Sequence, residues 1–146
     1  MQFDWRRFDE LERDQLYAML AFRQSVLVVE QASPYPDIDF VDQVADHLLA
    51  TDNGTLVGYA RCHAPLPGTT DASFGRLVVA QSYRKTGLGK EFVRQLFARL
   101  AEGSCRDVCI GAQLYLERFY AGFGFKRDGE PYDDAGVPHI KMRLQL

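Results

Sequence analysis

Cysteine is scarce in this 146-residue chain, which carries only Cys62, Cys105 and Cys109. Three is an odd number, and Cys105 and Cys109 enclose three residues instead of the two usual in zinc and redox motifs, so reduced structural thiols are expected. A zinc site assembled from them with His47, His63 or His139 is disfavoured by the same spacing, and no metal is expected. Long apolar runs are also missing: nothing approaches the roughly 20 residues that cross a bilayer. The opening Met1-Gln2-Phe3-Asp4-Trp5-Arg6-Arg7 lacks a signal peptide's order of charge, apolar stretch and small cleavage site, so a cytoplasmic location is expected, without a membrane partner. Nor is there an excess of positive charge. Seventeen Lys and Arg against twenty Asp and Glu leave a net charge of -3, and no basic tract alternates with aromatics, which argues against nucleic acid as a partner. Internal repeats and low-complexity tracts are absent.

What is present suits a globular domain, with 47% hydrophobic and 25% charged residues, and the length predicts one domain over 1–146. Phe3 to Phe8 reads as a short strand. Asp9 is placed to cap a helix whose Leu16, Met19, Leu20 and Val26 follow helical spacing. From Glu30 to Asp46 the periodicity breaks at Pro34 and Pro36, and Asp37, Asp39, Asp42 and Asp46 make the stretch acidic: a solvated loop, or a rim that attracts cations. His47 to Thr51 and Thr55 to Cys62 flank Asp52-Asn53-Gly54, whose Asn-Gly step tolerates the positive φ angles of a tight hairpin. Ser73 to Ala80 reads as a third antiparallel strand, buried on both faces at Leu77-Val78-Val79-Ala80. Arg76 inside it needs a partner and reads as an ion-pair anchor. Leu88, Phe92, Leu96 and Leu100, with Val93 and Phe97, form one apolar stripe of a helix ending near Gly103. A strand over Asp107–Gln113, a helix over Leu116–Gly122, a strand around Lys126–Tyr132 and a last strand alternating at Ile140, Met142, Leu144 and Leu146 complete the pattern.

The most informative stretch is Gln81-Ser82-Tyr83-Arg84-Lys85-Thr86-Gly87-Leu88-Gly89, between the buried strand and the long helix. A helix's first turn leaves backbone N–H groups unpaired and carries the positive end of the macrodipole, so anions bind there, and glycine lets the backbone approach them. Arg84 and Lys85 add formal charge. Taken alone, the two glycines could equally cap a helix beside a solvated basic pair. Two other phosphate motifs are excluded by offset. A Walker A loop would need Gly where Arg84 stands and Ser or Thr where Glu91 stands; a dinucleotide fingerprint would need a third glycine at Phe92 and an opening βαβ unit.

Leu77-Val78-Val79 followed by Arg84-x-x-Gly87-x-Gly89 resembles the acetyl-coenzyme A signature of the GNAT superfamily of N-acetyltransferases. Gln113, Tyr120 and Gly124-Phe125 resemble that superfamily's second motif, with Gln113 replacing the commoner Asn and Gln81 standing where many members have Pro. Val28-Val29-Glu30-Gln31, Pro34-Tyr35, Asp37, Asp39 and Gly136-Val137-Pro138-His139-Ile140 are similar to the ElaA-like branch of small bacterial acetyltransferases. The resemblance implies an α+β (α/β) fold of GNAT type: a central mixed, mostly antiparallel sheet flanked by helices, with a parallel, splayed strand pair in the middle.

It also implies acetyl-CoA as co-substrate and, as acceptor, a primary amine on a small molecule or peptide. Main-chain groups of Leu77, Val78 and Val79 would hold the pantetheine arm, and amides of Arg84, Lys85, Thr86, Gly87, Leu88 and Gly89 the pyrophosphate, with Gln113 and Tyr120 also on the cofactor side. Family members aim the equivalent of Tyr120 at the sulfur as general acid; the bare sequence allows a core tyrosine there instead. For the base, Glu30 and His139 are the candidates, Glu30 as a carboxylate ending an apolar run where burial raises a pKa, His139 because imidazole changes charge near neutrality. Each also has a structural alternative, a helix-end surface acid and a satisfied histidine. The competing function is a non-catalytic module that keeps acyl-CoA as a regulatory ligand. A homodimer is one option for the assembly.

Overall fold

The computed structural model describes residues 1–146. Strand β1 (Gln2–Arg7) pairs antiparallel with β2 (Asp46–Asp52), β2 with β3 (Thr55–His63), and β3 with β4 (Ser73–Val79), giving a four-stranded sheet in that order. Asn53 (φ 49°) and Gly54 (φ 78°) form the β2–β3 turn as the Asn-Gly step predicts. Both faces of this sheet are covered, because alternate residues point to opposite sides. Leu48, Ala50, Ala60 and Cys62 meet helix α2 (Leu88–Ala101), which buries the expected stripe of Leu88, Phe92, Val93, Leu96 and Leu100. Leu49, Tyr59 and Val78 meet Met19 and Leu27 below helix α1 (Arg13–Arg23). Gly58 lets α2 come close: a Cβ there would lie 2.6 Å from Phe92 Cε2.

The second sheet holds β5 (Asp107–Gln113), β8 (Val137–Gln145), the two-residue β6 (Lys126–Arg127) and β7 (Tyr132–Asp134), all antiparallel to β8 where they pair. Helix α3 (Glu117–Ala121) follows a 3-10 turn, Leu114–Leu116, after β5. The two sheets join through one parallel bridge, Ala72 with Val108, closed by Ala72 N–H to Asp107 O (3.0 Å) and Cys109 N–H to Ala72 O (2.9 Å). Beyond it β4 and β5 separate, the splayed strand pair that the resemblance implies. No helix is long and apolar enough to cross a membrane.

Several boundaries differ from expectation. The strand expected over Lys126–Tyr132 is two strands, interrupted by Gly129 (φ 134°) and by Pro131, which has no N–H to donate. Asp9 does not cap α1: Phe8–Glu10 forms a 3-10 turn and Glu12 takes the N-cap, with Gln15 reaching back to its N–H. After α1 the helix widens over Gln24–Glu30 into π-type turns, and Ser33 N–H reaches Val28 O, five residues back, at 3.0 Å.

Candidate active site

A cleft of about 380 Å³ occupies the gap between β4 and β5, bounded above by the widened segment Gln24–Glu30 and at one end by the start of α2. Its β4 wall is not a regular strand. Tyr59 pairs with Val78 and Arg61 with Gly75, so two residues of β4, Arg76 and Leu77, face one residue of β3. That is a β-bulge, and Arg76 holds it with φ at 52°, a conformation that costs a non-glycine residue about 1–3 kcal/mol. The bulge takes the main chain of Arg76 and Leu77 out of the β3 ladder and turns it toward the cleft.

At the cleft's end, Lys85 (φ 61°) and Gly87 (φ 89°) both take the left-handed conformation, and Gly87 is the N-cap of α2. The first α2 amides therefore point out of the helix unpaired. Ahead of Gly89 the space is open: an added Cβ would meet only Phe119 Cζ, at 3.8 Å. Open left-handed turn, bare glycine, helix N-terminus, and Arg84 and Lys85 beside it are the donor set a pyrophosphate requires, so the residues present fit a coenzyme A.

Tyr120 lies on α3, buried among Phe74, Phe119 and Phe125 with ring centroids 5.0–6.0 Å away, and lines the cleft. Its hydroxyl bonds to no protein group. Burial, with the nearby Tyr115, pushes its pKa up, so the phenol keeps its proton throughout the neutral range. Gln113 ends β5 and donates from Nε2 to Gln31 Oε1 at 2.9 Å, tying the second sheet to the segment after α1.

His139 is opposite Gln113 in the β5–β8 register and half buried on the cleft wall, its ring 5.8 Å from that of Tyr132. Its Nδ1 is 2.7 Å from Val137 O. A carbonyl only accepts, so Nδ1 carries the proton and the neutral ring's lone pair is on Nε2. Glu30 differs from expectation. The wide turns rotate it outward, its side chain is 41% exposed, and it pairs with Arg84 Nη2 at 2.9 Å across the cleft mouth. Arg84 Nε donates in turn to Val79 O at 3.0 Å.

The acidic loop is neither a solvated loop nor a free rim. Asp37 and Asp42 are buried, and with Asp39 they form a closed ring of alternating charge with Arg23, Arg61 and Arg76. Arg23 meets Asp37 (2.9 Å) and Asp42 (2.8 Å); Arg61 meets Asp42 (2.7 Å) and Asp39 (2.5 Å); Arg76 meets Asp39 (3.1 Å) and Asp37 (2.8 Å). The Arg76 Nε contact with Asp37 is an ion pair without hydrogen-bond alignment. Asp46 is separate, paired with Arg99 at 2.9 Å. Burial opposes ionisation of Asp39, but hydrogen bonds and charge from Arg61, the Val41 amide and Arg76 outweigh it and hold the carboxyl at about 2. Each arginine entering an apolar region is thus matched, and removing one partner of such a pair costs about 3–5 kcal/mol. Arg76 is an ion-pair anchor, as its position in a buried strand predicts.

Sequence reasoning missed Gln31, Tyr35, Tyr115 and Phe119 on the cleft wall. Gln31 and Tyr35 sit in the aperiodic loop, and Tyr115, 74% exposed, precedes the short helix, so periodicity marks none of them. No group of three His, Cys, Asp or Glu side chains is arranged to hold a metal ion.

A splayed strand pair, a bulge facing the gap and a helix N-terminus at its end define an acyltransferase of GNAT type. The acetyltransferase (GNAT) domain matches residues 14–146, and the chain belongs to that family. Protein ElaA of Escherichia coli is 38% identical over 94% of this chain and 92% of its own length. Its crystal structure superimposes with a TM-score of 0.92 at 33% identity, covering 99% of this chain and 100% of that one. An acyl-CoA N-acyltransferase from Pseudomonas aeruginosa gives a TM-score of 0.89 at 33% identity, over 98% and 99% of the two chains. A UPF0039 protein of Synechocystis sp. is 39% identical over 100% of this chain and 96% of itself.

Proposed function

We propose that this chain, acting as one domain in the cytoplasm, moves the acetyl group of acetyl-CoA directly to a primary amine of a small molecule or peptide, with Tyr120 as general acid and His139 as general base. The observation that carries the proposal is Tyr120 itself, a protonated phenol in the cleft with no protein partner for its hydroxyl. Acetyl-CoA supplies an activated acyl carbon on sulfur. The α2 amides from Leu88 onward, with Arg84 and Lys85, hold the pyrophosphate, and the bulged main chain of Arg76 to Val79 holds the arm and polarises the thioester carbonyl. As the N–C bond forms and the C–S bond breaks, the amine proton goes to His139 Nε2, directly or through water, and the thiolate takes its proton from Tyr120. Glu30 is displaced as base because its carboxylate is committed to Arg84.

The test is thiol release from acetyl-CoA against a panel of primary amines, with thermal protection by coenzyme A, ATP and NAD measured alongside. Amine-dependent release and protection specific to coenzyme A are expected. Equal protection by ATP refutes the assignment of the turn; coenzyme A protection without release from any amine supports a regulatory acyl-CoA module instead.

A further inference from the structure

We infer that Arg76 is a positioning residue for the acyl donor: its guanidinium, clamped against the 31–41 loop, holds the β4 bulge in the shape that aims main-chain groups at the cleft. This rests on the assignment of the cleft to an acyl-coenzyme A.

Of the six charges in the ring, only Arg76 also lines the cleft, and only Arg76 has a left-handed backbone. Such a backbone persists where surrounding contacts over-determine it. Here the contacts are the two carboxylates of Asp37 and Asp39, the Asp37 carbonyl at 3.2 Å from Nη2, and the Tyr35 ring, 5.4 Å from the guanidinium carbon. The loop does not need Arg76 in order to stay docked. Arg23 holds Asp37 and Asp42, Arg61 holds Asp39 and Asp42, and Ser33 Oγ donates to Ala135 O at 2.8 Å. The loop is therefore the fixed body and the bulge is the part being fixed. Loss of the Arg76 side chain leaves the loop in place and frees Arg76 and Leu77 to relax toward a regular strand. A planar guanidinium reaching two carboxylates at once sets direction in a way that a single ammonium does not.

Three variants separate aim from stability. Arg76→Gln removes the charge and keeps much of the length; its dissociation constant for coenzyme A and its KM for acetyl-CoA should both rise about tenfold, the scale expected of a small misplacement of binding groups. The KM for the amine should stay within about twofold, since Gln31 and Tyr35, which line the cleft away from β4, sit on a loop that Arg23 and Arg61 still hold. Arg76→Lys should fall between Gln and wild type. Arg76→Gly accepts φ of 52° without strain, so it should recover melting temperature relative to Arg76→Gln and recover none of the coenzyme affinity. Unchanged coenzyme affinity in Arg76→Gln, or affinity returning together with stability in Arg76→Gly, overturns the inference. So does an amine KM that rises as much as the donor KM. A wild-type protein that does not bind coenzyme A by calorimetry sinks the assignment of the cleft and this inference with it, whereas wild-type binding matched by the variants sinks this inference alone.

Discussion

Tyr120→Phe deletes one oxygen atom and leaves the ring where it packs, between Phe74, Phe119 and Phe125. The hydroxyl has no protein partner, so its removal orphans no donor or acceptor, and stability should change by less than about 0.5 kcal/mol. Affinity for coenzyme A should hold, because the phosphate and arm contacts proposed above are with β4 and α2. Turnover is another matter. A general acid typically contributes 10²–10⁴-fold, and the lower end already amounts to about 2.7 kcal/mol of transition-state stabilisation. The expected pattern is kcat lower by about 10² or more with melting temperature and coenzyme dissociation constant unchanged. All three should be measured on one preparation, by thiol release, thermal unfolding and calorimetry. Turnover within about threefold of wild type refutes the reasoning and makes Tyr120 a core residue whose thiolate neighbour is protonated by water.

His139→Asn keeps a donor for Val137 O while removing Nε2, so kcat should fall by about 10² or more; Glu30→Gln should leave kcat within a few-fold and, by freeing Arg84, tighten coenzyme binding. Pre-steady-state kinetics and calorimetry on the pair check this, and the reverse pattern would return the base to Glu30. Gly89→Leu should fold with an unchanged melting temperature and bind coenzyme A poorly, whereas Gly87→Ala should lose stability by about 1 kcal/mol as well, because φ there is 89°. Thermal unfolding with calorimetry distinguishes them. His47 is fully buried, accepting from the Tyr59 hydroxyl (2.7 Å) and donating to Asp42 O (2.9 Å). Burial lowers its pKa, partly offset by the Asp42 carbonyl, so the unfolded chain takes up the proton first. Stability should therefore fall as pH drops below about 6.5, by at most about 1.4 kcal/mol per unit, and His47→Gln should remove that slope; a flat melting temperature from pH 7 to 5 would contradict it.

The parts legible in the sequence are those whose signal is local. The Leu88 to Leu100 stripe repeats at helical period, Asn53-Gly54 names its own turn, and Arg84, Gly87 and Gly89 mark a helix N-terminus within six residues. The charge ring was illegible because its members are far apart in sequence: Asp37 meets Arg76 across 39 residues, and an aspartate looks the same whether solvated or buried. A signal did exist. Arg23 closes an apolar helix and Arg61 sits between Ala60 and Cys62, so both, like Arg76, required buried counter-charges, and the nearby run of aspartates was the available source. Glu30 was misplaced for a different reason. Its place at the end of an apolar run suggests burial, whereas the π-type turns over Gln24–Glu30 leave its side chain 41% exposed at the mouth, as a helix-end surface acid.

Because the sheets are hydrogen-bonded only through the bridge of Ala72 with Val108 and β4 and β5 diverge beyond it, the cleft is a consequence of chain path. A ligand entering it parts no strands and has only the Glu30–Arg84 pair at the mouth to displace, so residence time should be governed by the contacts that Arg84, Gly89 and the bulge make once that pair has opened.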